Sequence, residues 1–150
     1  MIAISRRRFL QNSLLLAGSS VLLARLDSLA QVLPDDQQPG DEETCKRKFA
    51  LAMEHSLQQK PIGEVMIAVG TSFLGTPYVA YAIEVPGDER LVINMQGLDC
   101  VSLTENSLAL SRCIKSGKTT FDDYKRQMKR IRYRNGVIDR YPSRLHYFSD

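Results

Sequence analysis

Residues 94–113 read NMQGLDCVSLTENSLALSRC. From Val101 to about Lys115 the run has helical periodicity, with Leu103, Ser107, Leu110 and Ile114 along one side and Gly117 placed as a C-cap. Cys100 follows Gly97-Leu98-Asp99 and stands at the entrance of that helix. Only the thiolate of cysteine is a good nucleophile. At a helix start, unpaired backbone N–H groups and the helix dipole favour an anion, and the same groups can hold an oxyanion beside it. Asp99 can cap the helix, and Gly97 allows close backbone approach. Cys113, near the end of the same helix, sits where the dipole disfavours a thiolate. A free cysteine is often just a small buried hydrophobe, so position alone leaves Cys100 open between nucleophile and core.

A nucleophile also needs a base, usually histidine. The chain has two, His55 and His146. His55 falls mid-helix in a charged context and reads as a surface residue. His146 lies within Leu145-His146-Tyr147-Phe148, where a packed, hydrogen-bonded histidine and a base are both open readings.

On the amino-terminal side, QVLPDDQQPGDEE at 31–43 is polar and broken by prolines, which makes 31–41 a linker. Residues 42–60 predict a helix with Phe49, Met53 and Leu57 on one face. Pro61 breaks it and starts another over 62–75, striped by Ile62, Val65, Met66, Val69 and Phe73. Residues 76–85 predict an extended segment, 86–89 a turn, and 90–95 a strand. On the carboxyl side, Thr120 with Asp123 resembles a capping box opening a helix to about Arg132, with Phe121, Tyr124, Met128 and Ile131 inward. Helices on both sides of a short β segment make the class α+β. Two short strands are marginal as a sheet, so the expectation is an incomplete domain over 42–150, a helical half with few strands.

The first thirty residues stand apart. SRRRFLQ at 5–11 precedes the apolar run SLLLAGSSVLLA at 13–24, and a small-residue site follows at Ser28-Leu29-Ala30. That run falls short of the roughly 20 residues a membrane span needs, so no stable membrane span is expected. The pattern describes an export signal over 1–30, and its paired arginines resemble the twin-arginine type, with the twin-arginine export machinery as partner. The expected location is periplasmic or otherwise exported, in a bacterial envelope. Export permits disulfides, and Cys45–Cys113 is one possible bridge that would leave Cys100 free.

The formal charge of +3 belongs to the leader, which holds four arginines and one aspartate; the remainder has sixteen basic and sixteen acidic residues. Overall basicity is thus no argument for nucleic acid, and Tyr124 to Arg134 lacks a nucleic-acid module pattern. Eleven Lys or Arg against three Asp in 112–144 read as solvated helix faces, or as a patch for an anionic polymer. The histidines and cysteines show no zinc spacing, and neither a Walker loop nor a dinucleotide fingerprint occurs, so no metal and no cofactor are expected.

FLGTPYV at 73–79, LVINMQGLDCVSLTENSLAL at 91–110, IRYRNGVI at 131–138 and YPSRLHYFSD at 141–150 together resemble the N-acetylmuramoyl-L-alanine amidase-like family of the NlpC-type, papain-like superfamily of cell-wall hydrolases. The resemblance spans roughly residues 60 to 150. It implies a papain-like α+β fold in which the nucleophilic cysteine opens a helix packed on an antiparallel sheet. It implies that Cys100 of Asp99-Cys100 is the nucleophile and that Tyr78 of Pro77-Tyr78 helps line the oxyanion site. Glu105 matches a family glutamate that orients a partner or serves structure, and Arg144 and His146 fall in a motif that lines the cleft or binds substrate. Similar proteins place the catalytic histidine later, in a His-Val-Gly-like segment absent here, so the resemblance leaves a truncated chain or His146 in the base role. The implied function is an exported cysteine amidohydrolase that cleaves the N-acetylmuramoyl-L-alanine amide of peptidoglycan or muropeptide fragments through a thioester. The alternative is a truncated, inactive domain that binds wall fragments.

Overall fold

The computed structural model describes residues 35–145. The expected export signal at 1–30 and His146 lie outside the described residues. The elements in order are β1 (Asp36–Gln37), α1 (Asp41–Glu54), α2 (Ile62–Thr71), β2 (Val92–Ile93), α3 (Cys100–Ser116) and α4 (Phe121–Arg132). Single 3₁₀ turns occur at Leu57–Gln59, Arg134–Gly136 and Tyr141–Ser143. The protein is helix-rich with few strands, an α+β arrangement.

The central element is α3, which packs against α2 and α4 and, less extensively, α1. Its Ala109, Leu110, Cys113 and Ile114 are buried. Both ends are set by sequence chemistry. Gly117 closes the helix in the left-handed region (φ 67°), where the Lys118 N–H reaches back to the Cys113 carbonyl at 3.1 Å. The expected capping box of α4 is present: the Asp123 N–H donates to Thr120 Oγ1 at 3.1 Å and the Thr120 N–H to Asp123 Oδ2 at 3.2 Å. Tyr124 and Met128 from α4 complete the inner layer.

Three local expectations need correction. The helix over 42–60 splits, because the chain leaves α1 at His55 and Ser56 takes a left-handed turn (φ 53°). The buried stripe of α1 is Cys45, Phe49 and Ala52, at helical spacing, so Met53 projects to solvent at 74% exposure. Second, α2 ends at Thr71 rather than Gly75, and Ile62 is exposed although Val65, Val69 and Phe73 are buried. Third, the segment 76–85 is extended only at its start. Tyr78 forms one parallel bridge to Leu98, and the chain then turns at 80–83 with Tyr81 left-handed (φ 58°). Its alternating apolar pattern reads as a strand, but among the described residues it has no partner beyond that bridge.

β1 pairs with β2 in parallel, Asp36 with Val92 and Gln37 with Ile93, although Asp36–Gln37 lie in the stretch read as linker. The resemblance implied an antiparallel sheet, whereas this described pair is parallel. The two strands are joined through α1 and α2, the long crossover a parallel pair needs. Asp41 locks this arrangement. Its Oδ1 accepts the Met95 N–H at 2.8 Å and its Oδ2 the Gln38 N–H at 2.6 Å, joining the start of α1 to both strand ends. Burial pushes the Asp41 carboxyl above its ordinary range, against these hydrogen bonds. Cys45 and Cys113 are free, fully buried thiols, so the possible bridge between them is not formed. Burial pushes Cys113 up to about 12 and raises Cys45 as well.

Candidate active site

The approach to Cys100 is shaped by the loop at 94–99. Asn94 Oδ1 accepts the N–H groups of Gln96 (3.0 Å) and Gly97 (2.8 Å), folding the chain back on itself. Gly97 permits the next contact: a Cβ at that position would lie 2.5 Å from Val79 Cγ2. The Pro77–Val79 backbone therefore lies directly along Leu98, with Val79 N–H to Leu98 carbonyl and Leu98 N–H to Pro77 carbonyl both at 3.0 Å. This pairing carries Tyr78 to the start of α3, where its side chain is exposed.

Asp99 is the N-cap of α3. Its Oδ1 accepts the Ser102 N–H at 2.7 Å, and the Asp99 N–H donates to Ser102 Oγ at 2.9 Å. Burial opposes ionisation of Asp99, but hydrogen bonds from Ser102, Ala82 and Val101 outweigh it and hold the carboxyl below its ordinary value. The Ala82 carbonyl accepts from Asn94 Nδ2 at 3.4 Å, which ties the 80–83 turn to the 94–99 loop. Cys100 is the first residue of α3 and is exposed, in contrast to the two buried cysteines.

Cys100 borders two clefts. One, of about 420 Å³, is lined by Tyr78, Tyr81, Glu84, Asp99, Glu105, Arg132 and Arg144 among others. The second, of about 370 Å³, is lined mainly by apolar groups, including Phe73, Leu74, Leu98 and Leu103. Tyr78 borders both, beside the cysteine.

The first cleft rests on a buried ion pair. Arg132, 2% exposed, gives Nε and Nη2 to Glu105 Oε2 at 3.1 and 2.7 Å, and its Nη1 donates to the Val92 carbonyl. One side chain thus joins α4, α3 and β2. Asn106 beside it accepts the Tyr124 hydroxyl at 2.6 Å and donates to the Ser102 carbonyl at 2.7 Å. Arg144 forms a second network. Its Nε and Nη2 reach Glu89 Oε1 at 3.0 and 2.8 Å, and Nη1 reaches Glu84 at 2.7 Å. The Tyr133 hydroxyl lies 2.6 Å from the same Glu89 oxygen; burial and Glu89 raise its pKa, so it remains a donor.

Of the residues singled out from sequence, Tyr78, Asp99, Cys100, Glu105 and Arg144 therefore surround one cleft. Glu105 is engaged with Arg132 and Arg144 with two acids. His55 is exposed at the end of α1 and lines neither cleft. Arg132, Tyr81 and Glu84 escaped the sequence reading. Arg132 did leave a signal: it continues the buried stripe Tyr124 and Met128 at spacing four, where a cation needs a buried partner. Most of the remaining basic residues of 112–144 are spread over exposed helix faces, with Lys125–Asp122 and Arg126–Asp123 paired locally.

These features define an α+β protein with an accessible cysteine at a capped helix start, set between an ionic and an apolar cleft. Residues 68–150 match the family model described as AmiA-like, N-acetylmuramoyl-L-alanine amidase-like, and the chain belongs to that family. A crystal structure of an N-acetylmuramoyl-L-alanine amidase from Bacteroides uniformis ATCC 8492 is 40% identical, with a TM-score of 0.54 over 59% of this chain and 36% of that one. Another crystal structure with the same description and organism aligns at 40% identity over 56% of this chain and 36% of that one, with a TM-score of 0.51. A Bacteroides fragilis structure described as a candidate xylanase is 44% identical over 53% of this chain and 34% of that one, and its TM-score of 0.49 is too low to bear on function. No curated protein matches the chain. The chain thus spans about a third of the length of the solved amidase.

Proposed function

We propose that this chain carries the nucleophile-bearing part of an exported cysteine amidohydrolase of papain-like, NlpC type, acting on peptidoglycan or muropeptide fragments. The supporting observation is the placement of Cys100: exposed, first in a capped helix, and open to two clefts. The family and the solved amidase support the N-acetylmuramoyl-L-alanine amide as the bond attacked.

In this reading the Cys100 thiolate adds to the amide carbonyl carbon, and the carbonyl electron pair moves to oxygen. Backbone N–H groups at the start of α3, with the Tyr78 hydroxyl, hold that oxyanion. The intermediate collapses, the C–N bond breaks, and the amine leaves with a proton from a general acid. Water then hydrolyses the thioester, giving its proton to the same group acting as base. His146 is the proposed acid–base group. Asp99 fixes the helix start, and Glu105 with Arg132 forms the rigid floor beneath.

The test is digestion of purified muropeptides by the full chain. Release of stem peptides with a new N-terminal alanine, abolished in Cys100→Ala, is the expected result. No release from wild type refutes a self-sufficient amidase. A second reading, a non-catalytic binder of wall fragments, is favoured by one observation: among the described residues no histidine borders the cleft. It predicts equal binding of muropeptides by wild type and Cys100→Ala, without turnover.

A further inference from the structure

We infer that Arg144 recognises a carboxylate on the substrate, and that Glu84 occupies the carboxylate position until the substrate arrives. This rests on the function proposed above and gives its site a direction. Arg144, 8% exposed, is held by two acids of unequal standing. Glu89 is 6% exposed, takes two bonds from the guanidinium and a third from Tyr133, and is a fixed partner. Glu84 is 51% exposed, and its bond to the guanidinium comes from Nη1 alone. Glu84, half exposed, can hand its carboxylate to water when Nη1 is released, whereas the buried Arg144 stays paired with Glu89. Nη1 can therefore exchange partners at small cost, while Glu89 keeps the guanidinium plane in place. Arginine so oriented is suited to a carboxylate.

Glu84 and Arg144 line the same cleft as Cys100. The second cleft, which also borders Cys100, offers Phe73, Leu74 and Leu103. A substrate spanning both would place its anionic part toward Arg144 and its neutral part over the apolar wall. For an amide between an uncharged N-acylated sugar ether and an acidic peptide, the peptide lies on the Arg144 side. The leaving amine then departs past Tyr81 and Glu84, and the acyl group stays on Cys100 against the apolar wall.

The test measures binding by calorimetry to the full chain carrying Cys100→Ala, which prevents turnover. The probes are two muramoyl dipeptides that differ only in a free carboxylate or a carboxamide on the second residue. The acid is expected to bind about tenfold more tightly than the amide, as charge-assisted hydrogen bonds do. Adding Glu84→Gln removes the internal competitor. It should tighten acid binding about two- to fivefold and leave the amide unchanged. Equal binding of acid and amide, or unchanged acid affinity in the Glu84→Gln variant, overturns the inference and leaves the cell-wall function standing. Binding of neither probe overturns both.

Discussion

Replacing Glu105 by leucine would strand the Arg132 guanidinium, 2% exposed, between α3, α4 and β2 with the Val92 carbonyl and the Met128 sulfur as its remaining partners. Removing one member of a buried pair costs about 3–5 kcal/mol, mostly because the other charge stays buried without compensation. Arg132→Met should cost a similar amount by isolating Glu105. The double variant Glu105→Leu/Arg132→Met removes both charges and leaves the Val92 carbonyl short of a donor, a loss of about 1–3 kcal/mol. Two large single effects and a smaller double effect are the signature of a coupled pair. Urea unfolding of the full chain reads this directly. With a slope near 2 kcal/mol/M, each single variant lowers the midpoint by about 2 M and the double variant by about 1 M. Single effects under about 0.5 M, or a double variant equal to their sum, would show that the pair does not hold the cleft floor together.

Iodoacetamide should modify Cys100 in the native protein well before Cys45 or Cys113, since the latter two are fully buried with raised pKa values; mass-spectrometric mapping showing three equal, slow rates would refute an accessible nucleophile. Gly97→Ala should destabilise by about 1–3 kcal/mol through the clash with Val79, and Val79→Ala in the same chain should relieve it; thermal unfolding with no rescue would contradict the close approach. Asp99→Asn keeps a capping oxygen but removes the negative charge at the helix N-terminus, and should cost about 0.5 kcal/mol at neutral pH. Because the folded carboxyl titrates below its unfolded value, the ionised cap stabilises above the ordinary carboxylate range and fades as pH falls through the folded pKa, so wild type and variant should converge in urea midpoints measured toward pH 3. Tyr124→Phe should lose about 1–2 kcal/mol by leaving Asn106 Oδ1 without its donor, again read by urea unfolding.

The helices were legible because their signals are local. Thr120 with Asp123, Gly117, and the spacing of Leu110 and Ile114 each act within one or two turns of the backbone. Cys100 and Asp99 were legible for the same reason, since a cap and a helix start are properties of adjacent residues. Met53 and the 76–85 segment misled because an apolar residue shows that some face is buried, not which one. The stripe Cys45–Phe49–Ala52 had to meet α3 before Met53 was left outside. The 76–85 pattern needed a pairing partner, and among the described residues Leu98 supplies one only at Tyr78.

By itself the sequence determined the helical frame, the cap at Asp99 and the exceptional position of one cysteine, because nearest-neighbour backbone chemistry fixes all three. Tertiary structure decided that Tyr78, Glu105, Arg132 and Arg144 would meet around that cysteine. Residues far apart along the chain converge only after α3, α4 and the Pro77–Leu98 pairing bury shared surface. Their charges are tolerable there only because each buried cation finds its acid across the fold.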